Sequence, residues 1–409
     1  MNVIKNYTST ILLLLGILIG GVCGMIFGED AAVVKPVGDI FMNFMYVLVV
    51  PIVCLSVSSA MCTMKRSNMA GRVLVNTLLV FLVMSVVLAV LSWLCILVYN
   101  PMTGVDSSAI QLNGTAELPD SGLSVGEMLV STVSVPEFLQ MFEKPHLLPL
   151  IIFSVVFGLA TAVCGEKGKP VADFLEAGSN VVLKMMDYLM YLAPVCLGCY
   201  FAATIGSLGG QIVNGYLGAF VLYLVLTVIV YFGVNSVYIF LAGGKKLLKS
   251  YWRNILPPSL TAVGTSSSAA CIPFNIEAAQ NMGVPSSIAS TVVPFGTNIH
   301  KDGSVVSSVV KIVFLMTIFG GLHGLELNGF VIVFTALISS LVVGAIPSGG
   351  MTGELLICSI LGYSPELAVA LMVISTIIDA PATMLNATGN VVASVLVARI
   401  SKKQVSDEN

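Results

Sequence analysis

The first 242 residues contain six apolar segments, each about 20 residues long and therefore able to cross a bilayer as a helix. They lie near residues 8–28, 37–63, 73–99, 147–164, 180–205 and 214–242. Only 10% of the 409 residues are charged and 57% are hydrophobic, whereas a soluble domain has about 25% charged residues. The pattern predicts an all-α, multi-pass membrane protein that contacts lipid. The net charge is −3 and no long basic run is present, which argues against a nucleic-acid partner.

The charges in the connecting segments predict the orientation. Residues 101–146 form a long acidic linker, which we place outside the cell. The connections on the other side are short and basic, at 65–72, 167–169, 245–253 and 399–403. Because Lys and Arg concentrate in cytoplasmic loops, we predict that both termini are cytoplasmic. The expected location is the plasma membrane, or the inner membrane of a Gram-negative cell.

After residue 255 the apolar pattern is broken twice. A serine run and a proline interrupt segment 256–284, and a glycine-rich stretch interrupts segment 329–362. We predict two re-entrant helical hairpins here. Each is followed by an interrupted apolar span with polar residues, at 286–320 and 366–400. The two units are predicted to be inverted repeats, and paired interruptions of this kind point to a binding site near the membrane midplane.

Three ionisable residues, His300, Lys301 and Asp302, stand in a row inside the first of these spans. A charge at bilayer depth costs roughly 2.5–3.5 kcal/mol, so these charges must be paired, face a cavity or have a function. Residues that weaken a helix lie beside them, at Gly296, Asn298 and Gly303. The pattern predicts a broken helix that carries charges near the midplane, which is typical of transporters.

The last span carries a polar stripe. Asp379, Thr383, Asn386 and Asn390 are separated by four, three and four positions, so they share one face of a helix. Hydrogen bonding between helices is one explanation, and a binding cavity is the other. A lone carboxylate favours the cavity.

These motifs together resemble the dicarboxylate/amino-acid:cation symporter family, which has the glutamate-transporter fold. They are the serine-rich stretch 266–273, an altered Asn-Met-Asp-Gly-Thr signature at 300–304, a second hairpin tip at 345–350 and the last-span sequence 379–390. The resemblance covers essentially the whole chain. It implies a fold of eight transmembrane helices plus two re-entrant hairpins, assembled as a homotrimer. It also implies a transporter without enzyme activity or an organic cofactor, in which a transport domain moves as an elevator along a scaffold.

The resemblance also implies how the chain is divided. Residues 1–72 would form scaffold spans 1 and 2, and residues 73–100 would form span 3 of the transport domain. Residues 101–207 would hold the linker and scaffold spans 4 and 5. Residues 208–403 would form the core of the transport domain, followed by a short tail at 404–409.

The resemblance implies an amino-acid site in which hairpin serines and Asn386 bind the carboxylate while Asp379 binds the ammonium. Thr383 and Ser304 would add hydroxyls. The predicted substrate-binding residues are Ser266, Ser267, Ser268, Ser304, Ile346, Gly350, Asp379, Ala382, Thr383 and Asn386. Members that carry acidic substrates have an arginine where this chain has Ala382, so a side-chain carboxylate would lack its bidentate partner. We therefore predict a neutral amino-acid substrate.

The positions that correspond to the family's sodium sites are altered. They are Gly296, Asn298, His300, Lys301, Asp302, Val343, Asn386 and Asn390, with Phe81 in place of a third-span tyrosine. Compared with the family's sodium sites, Asn390 lacks a carboxylate and Val343 lacks an oxygen ligand. Lys301 adds an ammonium, which would repel Na⁺ by roughly 4 kcal/mol at about 4 Å. We predict lost or weakened sodium binding, with Lys301 as a tethered cation that pairs with Asp302. Coupling through a Lys301/His300 proton, or a purely structural role for either residue, is the alternative.

Three further charges, Glu277, Lys311 and Glu354, lie in apolar segments. Each could carry a proton, and Glu354 is the first candidate because it follows a mobile gate. The interpretation that we favour is a surface charge on a hairpin arm. For the whole protein, the main alternative is a sodium- or proton-coupled symporter of dicarboxylates or acidic amino acids. An ion channel is the alternative from another functional class.

Overall fold

The computed structural model describes residues 2–59, 61–62, 71–101, 134–142, 147–208, 211–319, 329–345 and 350–407, and in these ranges it contains helices and no strand. The predicted all-α class is confirmed for this part of the chain. The helices are α1 (Asn2–Phe27), α2 (Lys35–Ile52), α3 (Gly71–Val98), α4 (Leu147–Val163), α5 (Lys169–Met190), α6 (Ala193–Leu208), α7 (Gln211–Val228), α8 (Asn235–Asn254), α9 (Leu256–Thr265), α10 (Ile272–Asn281), α11 (Ser286–Ile299), α12 (Asp302–Ile318), α13 (Gly329–Ala345), α14 (Gly350–Ile360) and α15 (Ala368–Asp407).

Several predicted spans coincide with apolar helices. Four helical stretches among the described residues are long and apolar enough to cross a membrane: Leu15–Phe41, Val73–Val98, Val213–Thr265 and Ala368–Ser401. Three shorter apolar helices are Pro149–Val163, Ala193–Gly206 and Gly329–Val343. The total of eight spans and their orientation stay predictions.

The predicted fifth span, 180–205, is divided between two helices. α5 ends at Met190, and α6 begins at Ala193 with Pro194 in its first turn. Proline fits a first turn because the N–H that it lacks has no intrahelical acceptor there. The apolar run is therefore the end of one helix and the start of another.

α1 and α6 approach each other closely through small residues. A Cβ atom at Gly16 would overlap the carbonyl of Pro194, and one at Gly20 would overlap the carbonyl of Gly198. Small residues at such positions let helix backbones come into contact, which is a common packing mode in membranes.

α8 contains a backbone break where the sixth predicted span ends. Gly243 and Gly244 have φ/ψ angles of −166°/20° and 65°/−162°. The positive φ of Gly244 is readily adopted only by glycine. The basic segment that follows is therefore a separate short helix.

Two pairs of short helices occur where hairpins are predicted. α9 and α10 have ten residues each and are joined by residues 266–271. α13 and α14 flank residues 346–349, which lie outside the described residues. A ten-residue helix is about 15 Å long, half the thickness of a bilayer's hydrocarbon core. The lengths of α9 and α10 fit a hairpin that does not cross the membrane, whereas α13 and α14 have 17 and 11 residues. Re-entry itself stays a prediction for both pairs.

The two long polar spans differ from each other. The break in 286–320 is confirmed, because α11 ends at Ile299 and α12 begins at Asp302. The predicted interruption of 366–400 is wrong, because α15 is one helix that includes Pro381. Polar side chains of α15 have partners at the break between α11 and α12 and on the first turn of α12, so the backbone of α15 does not need to unwind to satisfy them.

α12 and α15 form the centre of the second half of the chain. α12 packs against α3, α7, α13 and α15, and α15 also packs against α9, α10, α11 and α14. Asp302, Gly303 and all residues from Val305 to Met316 are buried. Polar groups on these two helices therefore face each other in the interior.

Candidate functional site

The break between α11 and α12 places two helix ends inside the protein. His300 has an extended backbone (φ −116°, ψ 109°), and Lys301 is also non-helical (φ −131°, ψ 78°). The N–H of His300 donates to the carbonyl of Gly296 at 2.8 Å, which closes α11. The first N–H groups of α12 have no intrahelical acceptor, so they need another partner at this depth.

Asn386 of α15 supplies that acceptor. Its Oδ1 accepts hydrogen bonds from the N–H of Gly303 at 2.8 Å and of Ser304 at 3.3 Å. Because both donors are backbone N–H groups, they fix the orientation of the amide. The Nδ2 group has no hydrogen-bond partner in the part of the chain that the structure describes. It is therefore a donor that a ligand can use.

The imidazole of His300 lies between two acceptors. Its Nε2 is 3.0 Å from Oδ1 of Asp302, and its Nδ1 is 3.2 Å from Oδ1 of Asn390. The Asn390 amide is oriented because its Nδ2 donates to the carbonyl of Asn386 at 3.0 Å. Nε2 of His300 and both carboxylate oxygens of Asp302 are buried and have no hydrogen-bond partner among the described residues, so the 3.0 Å contact is an ion pair only when the imidazole is protonated.

An aromatic ring and two glycines enclose this arrangement. Phe81 of α3 stacks on the imidazole with a centroid distance of 4.4 Å and an interplanar angle of 10°. A Cβ atom at Gly296 would overlap the Asn390 amide, and one at Gly389 would overlap the Asp302 carboxylate. We call the group the His300 cluster, and it consists of Phe81, His300, Asp302 and Asn390.

Lys301 does not take its predicted place. Asp302 contacts His300, whereas Lys301 is only partly buried and forms no ion pair with any residue that the structure describes. The predicted Lys301–Asp302 pair is therefore wrong. Neighbouring residues at the start of a helix point in different directions, while the extended backbone at His300 lets its ring fold over the first turn of α12.

Asp379 and the first hairpin form the substrate side of the site. Ser266 ends α9 in a left-handed conformation (φ 47°), which is uncommon for a residue other than glycine, and its hydroxyl interacts with the Asp379 carboxylate. The Ser267 hydroxyl accepts from the N–H of Ala270 at 3.3 Å, so it stabilises the tip itself. Thr383 is buried one helical turn beyond Asp379. Asp379, Thr383, Asn386 and Asn390 thus share one side of α15, as predicted.

Three further predicted residues lie partly buried in the same part of the molecule, namely Ser268, Ser304 and Ala382. The backbone of Ala382 touches Gly303, where a Cβ atom would overlap the Ala382 carbonyl. Tyr223 of α7 donates to the carbonyl of Gly303 at 3.0 Å. Sequence reasoning did not identify Tyr223, since an isolated tyrosine in an apolar span has no distinguishing pattern.

Four other predicted residues do not join the cluster or cannot be placed in it. The side chain of Asn298 is exposed and donates to a carbonyl of its own helix at 3.2 Å. Val343 packs against Gly353, so its side chain joins the two arms of the second hairpin. Ile346 lies outside the described residues, and Gly350 begins α14.

Sequence reasoning missed a second buried polar group. Nζ of Lys311 lies 2.5 Å from Oε1 of Glu354, and the hydroxyl of Ser375 donates to the same oxygen at 2.5 Å. Lys311 and Glu354 are 5% and 0% exposed. The interpretation of these two residues as surface charges is therefore wrong, whereas Glu277 is exposed. The sequence signal for this pair was the presence of opposite charges in two apolar helices, because intramembrane charges usually pair.

The sequence profile of the sodium:dicarboxylate symporter family matches residues 10–400. The chain is 26% identical over 400 residues to the proton/sodium-glutamate symport protein of Bacillus subtilis (strain 168), which covers 94% of this chain and 90% of that protein. It is 24% identical over 402 residues to the C4-dicarboxylate transport protein of the same organism, with 98% and 94% covered. It is 28% identical over 396 residues to the C4-dicarboxylate transport protein of Rhizobium leguminosarum bv. trifolii (strain WSM2304), with 94% and 87% covered.

Proposed function

Because the chain belongs to the sodium:dicarboxylate symporter family, whose members are membrane transporters and not enzymes, we propose that it carries neutral amino acids with weakened coupling to sodium. Its relatives are named as proton/sodium-glutamate and C4-dicarboxylate transporters, which supports cation-coupled transport of a small molecule. The observation that carries the proposal is the imidazole of His300 between Asp302 and Asn390.

The substrate site has groups for both ends of an amino acid. Asp379 provides a carboxylate for the ammonium, and the oriented Nδ2 of Asn386 provides a donor for the carboxylate. Ser266 and Thr383 add hydroxyls on either side of Asp379. These groups match a zwitterion without requiring a charged side chain.

The positions of the arginines support a neutral substrate. Among residues 235–407, the described arginines are Arg253 and Arg399, and both are exposed. Lys311 is already paired with Glu354. With alanine at position 382, no guanidinium extends from α15 toward Asp379, so an acidic side chain lacks the bidentate partner that it prefers.

The His300 cluster disfavours sodium at this position. Na⁺ needs oxygen ligands, and the ring already contacts one oxygen of Asp302 and the oxygen of Asn390. In its protonated form the ring would also carry positive charge, and two unit charges about 4 Å apart repel by roughly 4 kcal/mol at an effective dielectric constant near 20. His300, not Lys301, is therefore the residue that we assign as the tethered cation.

Transport into proteoliposomes tests this function. Purified protein would be assayed with a panel of radiolabelled amino acids and dicarboxylates, with sodium and proton gradients imposed separately. We expect uptake of neutral amino acids and little stimulation by sodium. Dominant uptake of aspartate, glutamate or a C4-dicarboxylate would contradict the substrate, and steep sodium dependence would contradict the tethered cation.

A symporter of dicarboxylates or acidic amino acids is the second candidate. The names of the relatives favour it, and the same substrate panel distinguishes the two. Family membership also leads us to propose a homotrimer in the cell membrane whose transport domain moves as an elevator. Size-exclusion chromatography with light scattering in detergent would test the trimer.

A further inference from the structure

Glu354 uses its two carboxylate oxygens unequally. Oε1 receives both Lys311 and Ser375, each at 2.5 Å, whereas Oε2 is buried and has no hydrogen-bond partner among the described residues. A buried charged oxygen without a donor is unfavourable. Oε2 is therefore the atom at which a proton would neutralise an unsatisfied charge.

The pair joins the second hairpin to the centre of the protein. Lys311 belongs to α12, Glu354 to α14 and Ser375 to α15. On the neighbouring α13, the Ser339 hydroxyl lies 3.1 Å from the carbonyl of Gly353 and donates to it. Any separation of α14 from α12 therefore exposes or breaks a buried charge pair.

Few other ionisable groups face this pair. Asp379, one turn beyond Ser375 on α15, interacts electrostatically with Lys311. Tyr223 of α7 faces Asp379, and Cys358 faces Glu354 from the same helix. α4, which also packs against α14, has no ionisable residue. The charge of the region is thus set by Lys311, Glu354 and Asp379.

The sum of these charges indicates how proton binding depends on substrate binding. With all three groups ionised, one ammonium and two carboxylates leave a net charge of −1. A substrate ammonium at Asp379 brings the region to neutrality. Without a substrate, one proton has the same effect, and low-dielectric surroundings favour the neutral state.

We propose that Glu354 is a proton-binding site coupled to the substrate site. In the empty protein, a proton from water binds Oε2 of Glu354 while Lys311 keeps its charge. When a substrate ammonium binds Asp379, that proton returns to water. The second step rests on the proposed amino-acid substrate, whereas the first does not.

Infrared difference spectroscopy tests the proton site without any substrate. Spectra of the purified protein in detergent would be compared between high and low pH. We expect a carbonyl band from a protonated, water-excluded carboxylic acid, absent in Glu354→Gln and unchanged in the exposed control Glu277→Gln. In Asp379→Asn the band should appear only at lower pH, because loss of that carboxylate favours the ionised form of Glu354, as a substrate ammonium does. Lys311→Met should make the band appear at higher pH, because removal of the neighbouring cation favours the neutral acid.

Several outcomes would overturn the proton site. A band that persists in Glu354→Gln, one that appears at the same pH in Asp379→Asn as in the wild type, or a wild-type protein without the band contradicts it. If Glu354→Gln does not fold, the double variant Lys311→Met/Glu354→Gln replaces the ion pair with neutral groups of similar size and must also lack the band.

Calorimetry tests the coupling to substrate. Binding of a neutral amino acid would be measured in two buffers with different ionisation enthalpies, which gives the number of protons released. We expect release of up to one proton by the wild type and none by Glu354→Gln. Unchanged release in Glu354→Gln would overturn the coupling. A wild type that binds no amino acid would contradict the proposed function instead, and the infrared result would still decide the proton site.

Discussion

Nε2 of His300 lies 3.0 Å from Oδ1 of Asp302, and both side chains are almost completely buried. In the proposed function the ring is protonated, and a buried ion pair that loses one partner is destabilised by about 3–5 kcal/mol. Asn390 contacts the other ring nitrogen, Nδ1, and Phe81 stacks on the face of the ring. The contact is therefore a fixed part of the fold, and in the proposed function the protonated ring is a counter-charge for Asp302 that is covalently attached to the chain.

Replacing His300 by asparagine should increase the sodium dependence of transport. The Asn side chain removes the positive charge and offers an oxygen ligand beside Asp302. We expect sodium to stimulate uptake several-fold more in His300→Asn than in the wild type, and Asn390→Asp should strengthen the effect by adding a carboxylate. Uptake at varied sodium concentrations measures this.

Lys301→Met is the matched control for that experiment. Lys301 lies beside the cluster without pairing to a described residue, so its removal should change sodium dependence little. A gain of sodium dependence in Lys301→Met but not in His300→Asn would restore Lys301 as the tethered cation.

Replacing Ala382 by arginine should shift substrate preference toward acidic compounds. The guanidinium would extend from the same helix as Asp379 and could bind a side-chain carboxylate bidentately. We expect aspartate or a C4-dicarboxylate to compete better with the labelled substrate in Ala382→Arg, and neutral amino acids to compete less well. Ala382→Gln, which is long but uncharged, is the control. An equal effect of both substitutions would show that size and not charge is responsible.

Two substitutions at Asn386 should separate its structural and binding roles. Asn386→Asp keeps an acceptor for the N–H groups of Gly303 and Ser304 but replaces the Nδ2 donor with a negative oxygen. It should keep thermal stability and lose binding of the substrate carboxylate. Asn386→Ala should also lose the cap, at a cost of about 1 kcal/mol. Thermal unfolding and ligand binding, measured on the same samples, distinguish these effects. Intact binding by Asn386→Asp would exclude the proposed donor role.

The sequence was sufficient for those features that depend on pattern. The break at His300–Lys301, the short helices around Ser266 and the polar face of α15 all follow from local composition and spacing. The partners of individual charges did not follow. Adjacent charges at Lys301 and Asp302 suggested a pair, but the extended backbone of His300 directs its ring to Asp302 instead. The contact between Lys311 and Glu354 joins residues 43 positions apart, and no local pattern specifies such a pairing.

A double-mutant cycle on Lys311 and Glu354 should reveal strong coupling in stability. At a pH high enough to ionise Glu354 in the empty protein, Lys311→Met leaves a buried carboxylate and Glu354→Gln leaves a buried ammonium, so each single variant should lose about 3–5 kcal/mol of unfolding free energy unless the remaining group neutralises. The double variant removes both charges and should be more stable than either single variant, because the ion pair itself adds little beyond the cost of desolvating its charges. Unfolding in detergent micelles, followed by tryptophan fluorescence, gives the unfolding free energies of the wild type, the two single variants and the double variant. The interaction energy between Lys311 and Glu354 should exceed 0.5 kcal/mol in magnitude, as is typical of contacting residues. Additive losses in the double variant would mean that Lys311 and Glu354 do not stabilise each other.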